Sequence, residues 1–274
     1  MRKITIITIV ALLIGAFCLS GLKLFQMSGG YLQESVVKDS LAAYKPGAQE
    51  SQGTRADGIA YTPSNDEAVP GPAGAQADGP FETDRPATPL TVNQNIIDMQ
   101  NEINPDVVGW LTIPGTHIDY PFVRASDNDF YVRRDIYGNN ATAGTIFTDW
   151  RCAEDLSDFN LILYGHNMRN KSMFGDLQQY SDPWFFDNAL NGTMFLQYGT
   201  YTLEVFAFMV ISADDEIIYN PGINSEVFFN YVMENARNYS EPVSRDRVVT
   251  LSTCGYEFED ARIVAIATLV TVHG

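Results

Sequence analysis

Cys254 and Arg262 stand eight residues apart, each at the boundary of an apolar run. Val248-Val-Thr-Leu-Ser-Thr253 is β-branched or apolar almost throughout and predicts a strand. It ends at Cys254-Gly255, where the chain can turn and leave the sulfur at a rim. The run from Arg262 to Val270 predicts a second strand that begins with the guanidinium. Two adjacent strands then present a thiol and a cation at one end of a sheet. Upstream, Leu161-Ile-Leu-Tyr164 predicts another strand, followed directly by Gly165-His166. A cysteine attacks as the thiolate, which a nearby imidazole or cation favours. A guanidinium can also hold negative charge developing on a carbonyl oxygen. Cys254, His166 and Arg262 are therefore candidates for a cysteine-nucleophile enzyme. Taken singly, His166 reads equally as a hydrogen-bonded structural histidine and Arg262 as a surface cation. His117, in a Pro/Gly-rich turn region, and His273, beside the end of the sequence, are weaker candidates.

The elements that must position these groups are mostly strands. Asn93 to Asn104 predicts a helix with Ile96, Ile97, Met99 and Ile103 on a partial apolar face. Short strands follow on either side of the turn pair Pro114-Gly115, and Pro121 marks an edge. Asp127 to Tyr131 reads as a turn or short helical piece. Residues 143–148, 160–164, 194–198 and 201–212 supply further strands, with a helix expected over 172–180. Ser225 to Tyr239 predicts an amphipathic helix with Val227, Phe228, Tyr231, Val232 and Ala236 on one side. Many short strands separated by turns, with a few helices, indicate a mainly β domain closed into a barrel.

Before residue 91 the chain changes character twice. Ile4 to Leu22 is a run of 19 uncharged residues after Arg2-Lys3. That length nearly crosses a hydrocarbon core of about 30 Å, and the basic residues favour a cytoplasmic N-terminus. Residues 1–27 are therefore expected to be an uncleaved membrane signal anchor, with a cleaved signal peptide as the rival reading. Residues 28–90 are expected to be a flexible extracellular segment, with a short juxtamembrane helix over 28–44 and then a tether. Seven of the 13 prolines fall between Lys45 and Pro89, among Gly, Ala, Asp and Ser. Such a stretch cannot bury enough apolar surface to offset its ordering entropy. Residues 91–274 form the expected folded domain. The net charge of −17, carried mostly by that domain, excludes a nucleic-acid binder. The three cysteines, Cys18, Cys152 and Cys254, are too few for a disulfide scaffold and include no CxxC pair, and no acidic cluster has calcium-site spacing.

These features converge on a family. NPDVVGWLTIPGT (104–116), DYPFV (119–123), YGHNM (164–168), MFGDL (173–177) and TLSTC (250–254), with Arg262 after it, resemble the sortases. Within them the chain is similar to class B, the cell-wall transpeptidases of Gram-positive bacteria. The resemblance spans nearly all of 91–274. It implies an eight-stranded closed β-barrel with several peripheral helices, the 225–239 helix filling the insertion between the family's sixth and seventh strands. It also implies His166, Cys254 and Arg262 as the catalytic set, with Ser252, Tyr164 and Asn128 lining the substrate groove. No cofactor and no metal are expected. A disulfide between Cys152 and Cys254 would block the nucleophile, so free thiols are expected. The implied partners are surface proteins bearing a C-terminal sorting signal, cleaved after threonine, and a peptidoglycan or lipid-linked precursor amine as acceptor. The implied location is the cell membrane, single-pass, with the catalytic domain outside. A pilin-polymerising sortase and an inactive tethered binding module are the alternatives.

Overall fold

A computed structural model describes residues 29–47 and 92–272. The uncharged run Ile4–Leu22 and the proline-rich stretch beyond Gly47 therefore lie outside the described residues. Nine strands appear in chain order: β1 Val107–Thr112, β2 Asp119–Val123, β3 Ile146–Thr148, β4 Asn160–Tyr164, β5 Gly192–Leu196, β6 Thr200–Ser212, β7 Asn238–Tyr239, β8 Val248–Cys254 and β9 Ala261–Thr271. Their lateral order is β5-β1-β2-β3-β4-β8-β9-β6-β7, and β5 also pairs with β6. That last pairing closes eight strands into a barrel and leaves the two-residue β7 appended to β6. A register shift between Val205 and Ala207 bends β6, so that its first half borders β5 and its second half borders β7.

Closure explains the burial pattern. β9 reads as a continuous apolar run because Ile263 to Leu269 are buried in succession between β8 and β6. Pro121 is flanked on both sides, yet β3 pairs only with Phe122 and Val123. The missing N–H of Pro121 thus faces a gap in the ladder, which makes it a local edge. Gly109 sits opposite Phe122, where an added Cβ would stand 2.4 Å from the Phe122 ring.

Helices cover the outside. α1 occupies residues 29–40 among those described, α2 is Gln94–Glu102, α3 is Pro183–Asn188 and α4 is Ser225–Asn235. Three expectations shift. The 172–180 helix is instead a turn followed by a 3-10 segment, Gly175–Ser181. The 225–239 helix stops at Asn235, because Asn238 and Tyr239 turn to pair with Phe208 and Ala207 of β6. Residues 29–47 are not a free segment but lie on the barrel. There Val37, Leu41 and Tyr44 join a second apolar cluster with Ile96, Met99, Trp110 and Phe147. Lys45 pairs with Asp119 at 2.7 Å, and Tyr44 donates to Glu102 at 2.6 Å. Mixed polarity concealed that docking face.

Candidate active site

β8 is the strand on which the site is built. It runs parallel to β4, with Ser252 opposite Tyr164, and antiparallel to β9, with Cys254 opposite Arg262. His166 follows β4 by two residues and Cys254 follows Ser252 by two, so the parallel register carries the imidazole and the thiol to one level. Two side chains fasten the strands past their ladder. Thr253 Oγ1 donates to the Gly165 carbonyl at 2.7 Å, and Asn167 Nδ2 donates to the Cys254 carbonyl at 2.7 Å. Gly165 has no room for a side chain, since a Cβ there would stand 2.8 Å from the buried Phe174 ring.

Asn128, Tyr164, His166, Ser252, Cys254 and Arg262 line one cleft with a volume of about 330 Å³, together with Val132, Phe147 and Tyr219. All six residues singled out from the sequence are brought together. Cys254 is exposed and free, whereas Cys152 is free and buried. Burial pushes the Cys152 thiol up to about 11, so it stays protonated near neutral pH. The Arg262 guanidinium donates to the carbonyls of Ala261 (3.0 Å) and Asp260 (3.3 Å). Among the described residues no carboxylate lies within ion-pair distance of it. Its charge therefore remains to be used by an anion in the cleft.

His166 is held through Nε2, which lies 2.6 Å from the Val132 carbonyl. A carbonyl only accepts, so Nε2 carries a proton and Nδ1 is left to gain or lose one. Val132 belongs to the 3-10 segment Phe130–Arg133, which Asp127 starts by accepting from the N–H groups of Asp129 and Phe130. Tyr131, in the same segment, donates to Asp106 at 2.6 Å and accepts from Asn104 at 2.8 Å. The Asn-Pro-Asp and Asp-Asn-Asp-Phe-Tyr motifs thus form one brace for the carbonyl that orients His166.

Two further groups carry the groove. Asp149 is fully buried and accepts from Arg151 Nε (2.8 Å) and Nη2 (2.7 Å), from the Tyr164 hydroxyl (2.9 Å) and from Asn128 (3.3 Å). Burial alone would raise its pKa, but the bonds from Arg151 and Tyr164 outweigh that and hold it below the usual carboxylate range. Tyr164, partly buried and beside that charge, is pushed well above the ordinary phenol value by desolvation first and then by Asp149. It therefore remains a donor to Asp149 and does not titrate with the cleft. Tyr219 meets Ser252 Oγ at 2.8 Å, and burial raises it to about 12. Neither Asp149 nor Tyr219 was identified from the sequence. A lone acid ending a short apolar run was the only trace of Asp149. Tyr219 follows an Asp215 turn that carries no motif. Among the described residues no cluster of three or more His, Cys, Asp or Glu side chains is disposed to hold a metal.

Comparison with known proteins follows the same region. A family model described as the Sortase domain matches residues 111–270. The chain is 36% identical over 189 residues to sortase B of Listeria monocytogenes, spanning 66% of this chain and 76% of that one. The structure of Clostridium perfringens sortase B superposes with a TM-score of 0.59 at 31% identity, covering 64% of this chain and 98% of that chain. The complex of Staphylococcus aureus sortase B with substrate gives 0.60 at 28% identity, over 66% and 87%.

Proposed function

Because the chain belongs to the sortase family, and within it to class B, we propose that it sorts proteins to the cell wall with Cys254 as nucleophile, His166 as acid–base and Arg262 as holder of the oxyanion. The reaction class is cysteine transpeptidation, which takes a sorting-signal substrate and an amine acceptor.

In the first half-reaction the Cys254 thiolate attacks the carbonyl carbon of a threonine in the sorting signal. The bond from that carbon to the next nitrogen breaks, His166 gives a proton to the leaving amine, and a thioester remains. In the second, a peptidoglycan amine attacks the thioester carbon. The C–S bond breaks, His166 accepts the amine's proton, and the thiolate returns. Arg262 faces the oxygen that becomes negative in both halves. Ser252, Tyr164 and Asn128 line the groove for the peptide. The observation that carries this reading is the convergence of Cys254, His166 and Arg262 on one cleft from three different strands.

The segment Ile4–Leu22 is the anchor in this reading, holding the catalytic domain outside the membrane as a single-pass protein, with the proline-rich stretch as spacer. Among the described residues no helix is long and apolar enough to cross a membrane. The inactive-binder alternative is not favoured, since the thiol, imidazole and guanidinium are all present in one cleft, and the pilin-polymerising alternative is not favoured, since the curated relatives are sortase B.

Mass spectrometry of the full chain after incubation with a library of sorting-signal peptides tests the chemistry. The expected result is an acyl increment on Cys254 ending in threonine, lost in Cys254→Ala. A folded protein with a free Cys254 thiol and no adduct or cleavage from any peptide would overturn the assignment. Fractionation of cells expressing the chain with and without residues 1–27 tests the anchor. An unchanged membrane fraction after deletion would sink it.

A further inference from the structure

α1 touches the active-site loop, although no residue of α1 lines the cleft. The loop leaves β4 at His166 and returns at Phe174, whose N–H closes it on the His166 carbonyl at 3.0 Å. Between them Lys171 (φ 67°) and Met173 (φ 52°) hold left-handed backbone with ordinary side chains. Such a conformation persists only where surrounding contacts impose it. Within the loop, Asn170 Oδ1 accepts from the Ser172 N–H at 3.2 Å and hydroxyl at 2.8 Å, and Asn167 bridges to Met173; from outside it, the contacts come from Glu34 on α1. Its Oε1 accepts from the Tyr120 hydroxyl at 2.8 Å, and the same hydroxyl oxygen accepts from the Met173 N–H at 3.4 Å. Its Oε2 lies 2.7 Å from the Ser172 hydroxyl and 3.5 Å from Asn170 Nδ2. Tyr120 and Ser172 are both buried, so these hydroxyls have no water to turn to. Lys38, one turn along α1, lies 4.2 Å over the Tyr120 ring and donates to the His117 carbonyl at 3.1 Å. Burial first, and then the charge of Glu34, raise Tyr120 well above the ordinary phenol value, so it donates at any pH of interest.

We propose that Glu34 is a positioning residue for the transpeptidation, setting the His166 loop through Tyr120, Ser172 and Met173. The N-terminal helix is then part of the catalytic unit. The chain closes a path from α1 through a carboxylate and two hydroxyls to the strained return of the loop, and from there through Phe174 to His166. Asn167 fixes the outbound leg to Cys254, so the loop is held at both ends and only the return leg depends on α1. The inference rests on the assignment of His166 as the partner of Cys254.

The test is the pH profile of Cys254 alkylation by iodoacetamide in the full chain, read by peptide mass so that Cys152 is counted separately. His166→Ala serves as reference and is expected to slow alkylation and move the profile toward higher pH. Glu34→Ala and Tyr120→Phe are expected to change it in the same direction by less. Glu34→Gln, which keeps an acceptor for Tyr120, is expected to recover most of the wild-type profile. With any sorting peptide that the wild type cleaves, Glu34→Ala should lower kcat about tenfold and leave KM within about twofold, because the groove residues are untouched. A shift in His166→Ala with wild-type profiles in both Glu34→Ala and Tyr120→Phe overturns this inference alone. Full transpeptidation activity in His166→Ala overturns the reading of His166 on which it rests. Tyr120→Phe removes a single oxygen and decides the matter should Glu34→Ala fail to fold.

Discussion

Asp149→Asn removes one buried charge from behind the cleft-lining Tyr164 and Asn128 without changing the side chain's shape, which makes its cost open to calculation. The wild-type carboxylate is fully buried, while the Arg151 side chain that clasps it is 45% exposed. Breaking a wholly buried ion pair costs about 3–5 kcal/mol, but a half-exposed arginine recovers water, so roughly 1–2 kcal/mol remains. The partly buried Tyr164 hydroxyl loses a charged acceptor, adding about 1 kcal/mol. The sum is about 2–3 kcal/mol, or a fall in Tm of roughly 5–10 °C for a domain of this size. Urea denaturation at neutral pH reads it directly. A second signature is its dependence on pH. The folded Asp149 has a lowered pKa, so the unfolded chain binds the proton more readily. The stabilisation is therefore complete above the ordinary carboxylate range and is lost as pH falls through the folded value. Wild type and Asp149→Asn should converge in stability under acid. The variant should also raise KM for a sorting peptide about tenfold, since Tyr164 and Asn128 lose the charge of their common acceptor, with a smaller change in kcat. A variant within 0.5 kcal/mol of wild type at neutral pH (roughly the scatter of surface substitutions) with unaltered KM would refute the account.

Arg262→Lys keeps the charge but not the planar fork, and should lower kcat/KM by about tenfold or more, with Arg262→Ala worse; near-full turnover in Arg262→Ala would remove the oxyanion role. Gly165→Ala forces a methyl against the Phe174 ring, which is fully buried. It should cost roughly 1–3 kcal/mol in urea denaturation and lower kcat through the His166 loop, and an active, fully stable variant would contradict the packing described. Leu41→Ala empties a 2% exposed site beneath the N-terminal segment. It should cost about 2–4 kcal/mol and hasten proteolysis within residues 29–47, whereas an unchanged digestion rate would show that the segment contributes little to the fold.

What could be read from the sequence followed the strength of local patterns. The β8–β9 hairpin was legible because five β-branched or apolar residues out of six run into Cys254-Gly255, and the register then sets Cys254 opposite Arg262. The strand leading to His166 was legible on the same grounds. The 168–174 turn was not, because its left-handed residues are Lys171 and Met173 rather than the Gly or Asn that usually announce such backbone. α3 was overlooked although its signal was present: Asp182 caps Phe185 N–H and Pro183 follows directly. The docking of residues 29–47 depends on partners remote in sequence, such as Glu34 with Ser172, and no periodicity reports those. Asp149 and Tyr219 were hidden for the same reason, since each acquires meaning only from what the barrel places beside it.

The parallel pairing of β4 with β8 has a consequence for timing. Cys254 and Arg262 meet through a short hairpin and can come together early. Asn167, beside His166, reaches the Cys254 carbonyl across 87 positions of sequence, and a parallel neighbour requires everything between to have crossed over first. Long-range pairings of this kind form late, because their loop entropy is lost before their contacts are gained. A nascent chain thus carries its thiol before His166 has been brought beside it. On the proposed assignment, nucleophile and acid–base come to one level only in the finished barrel.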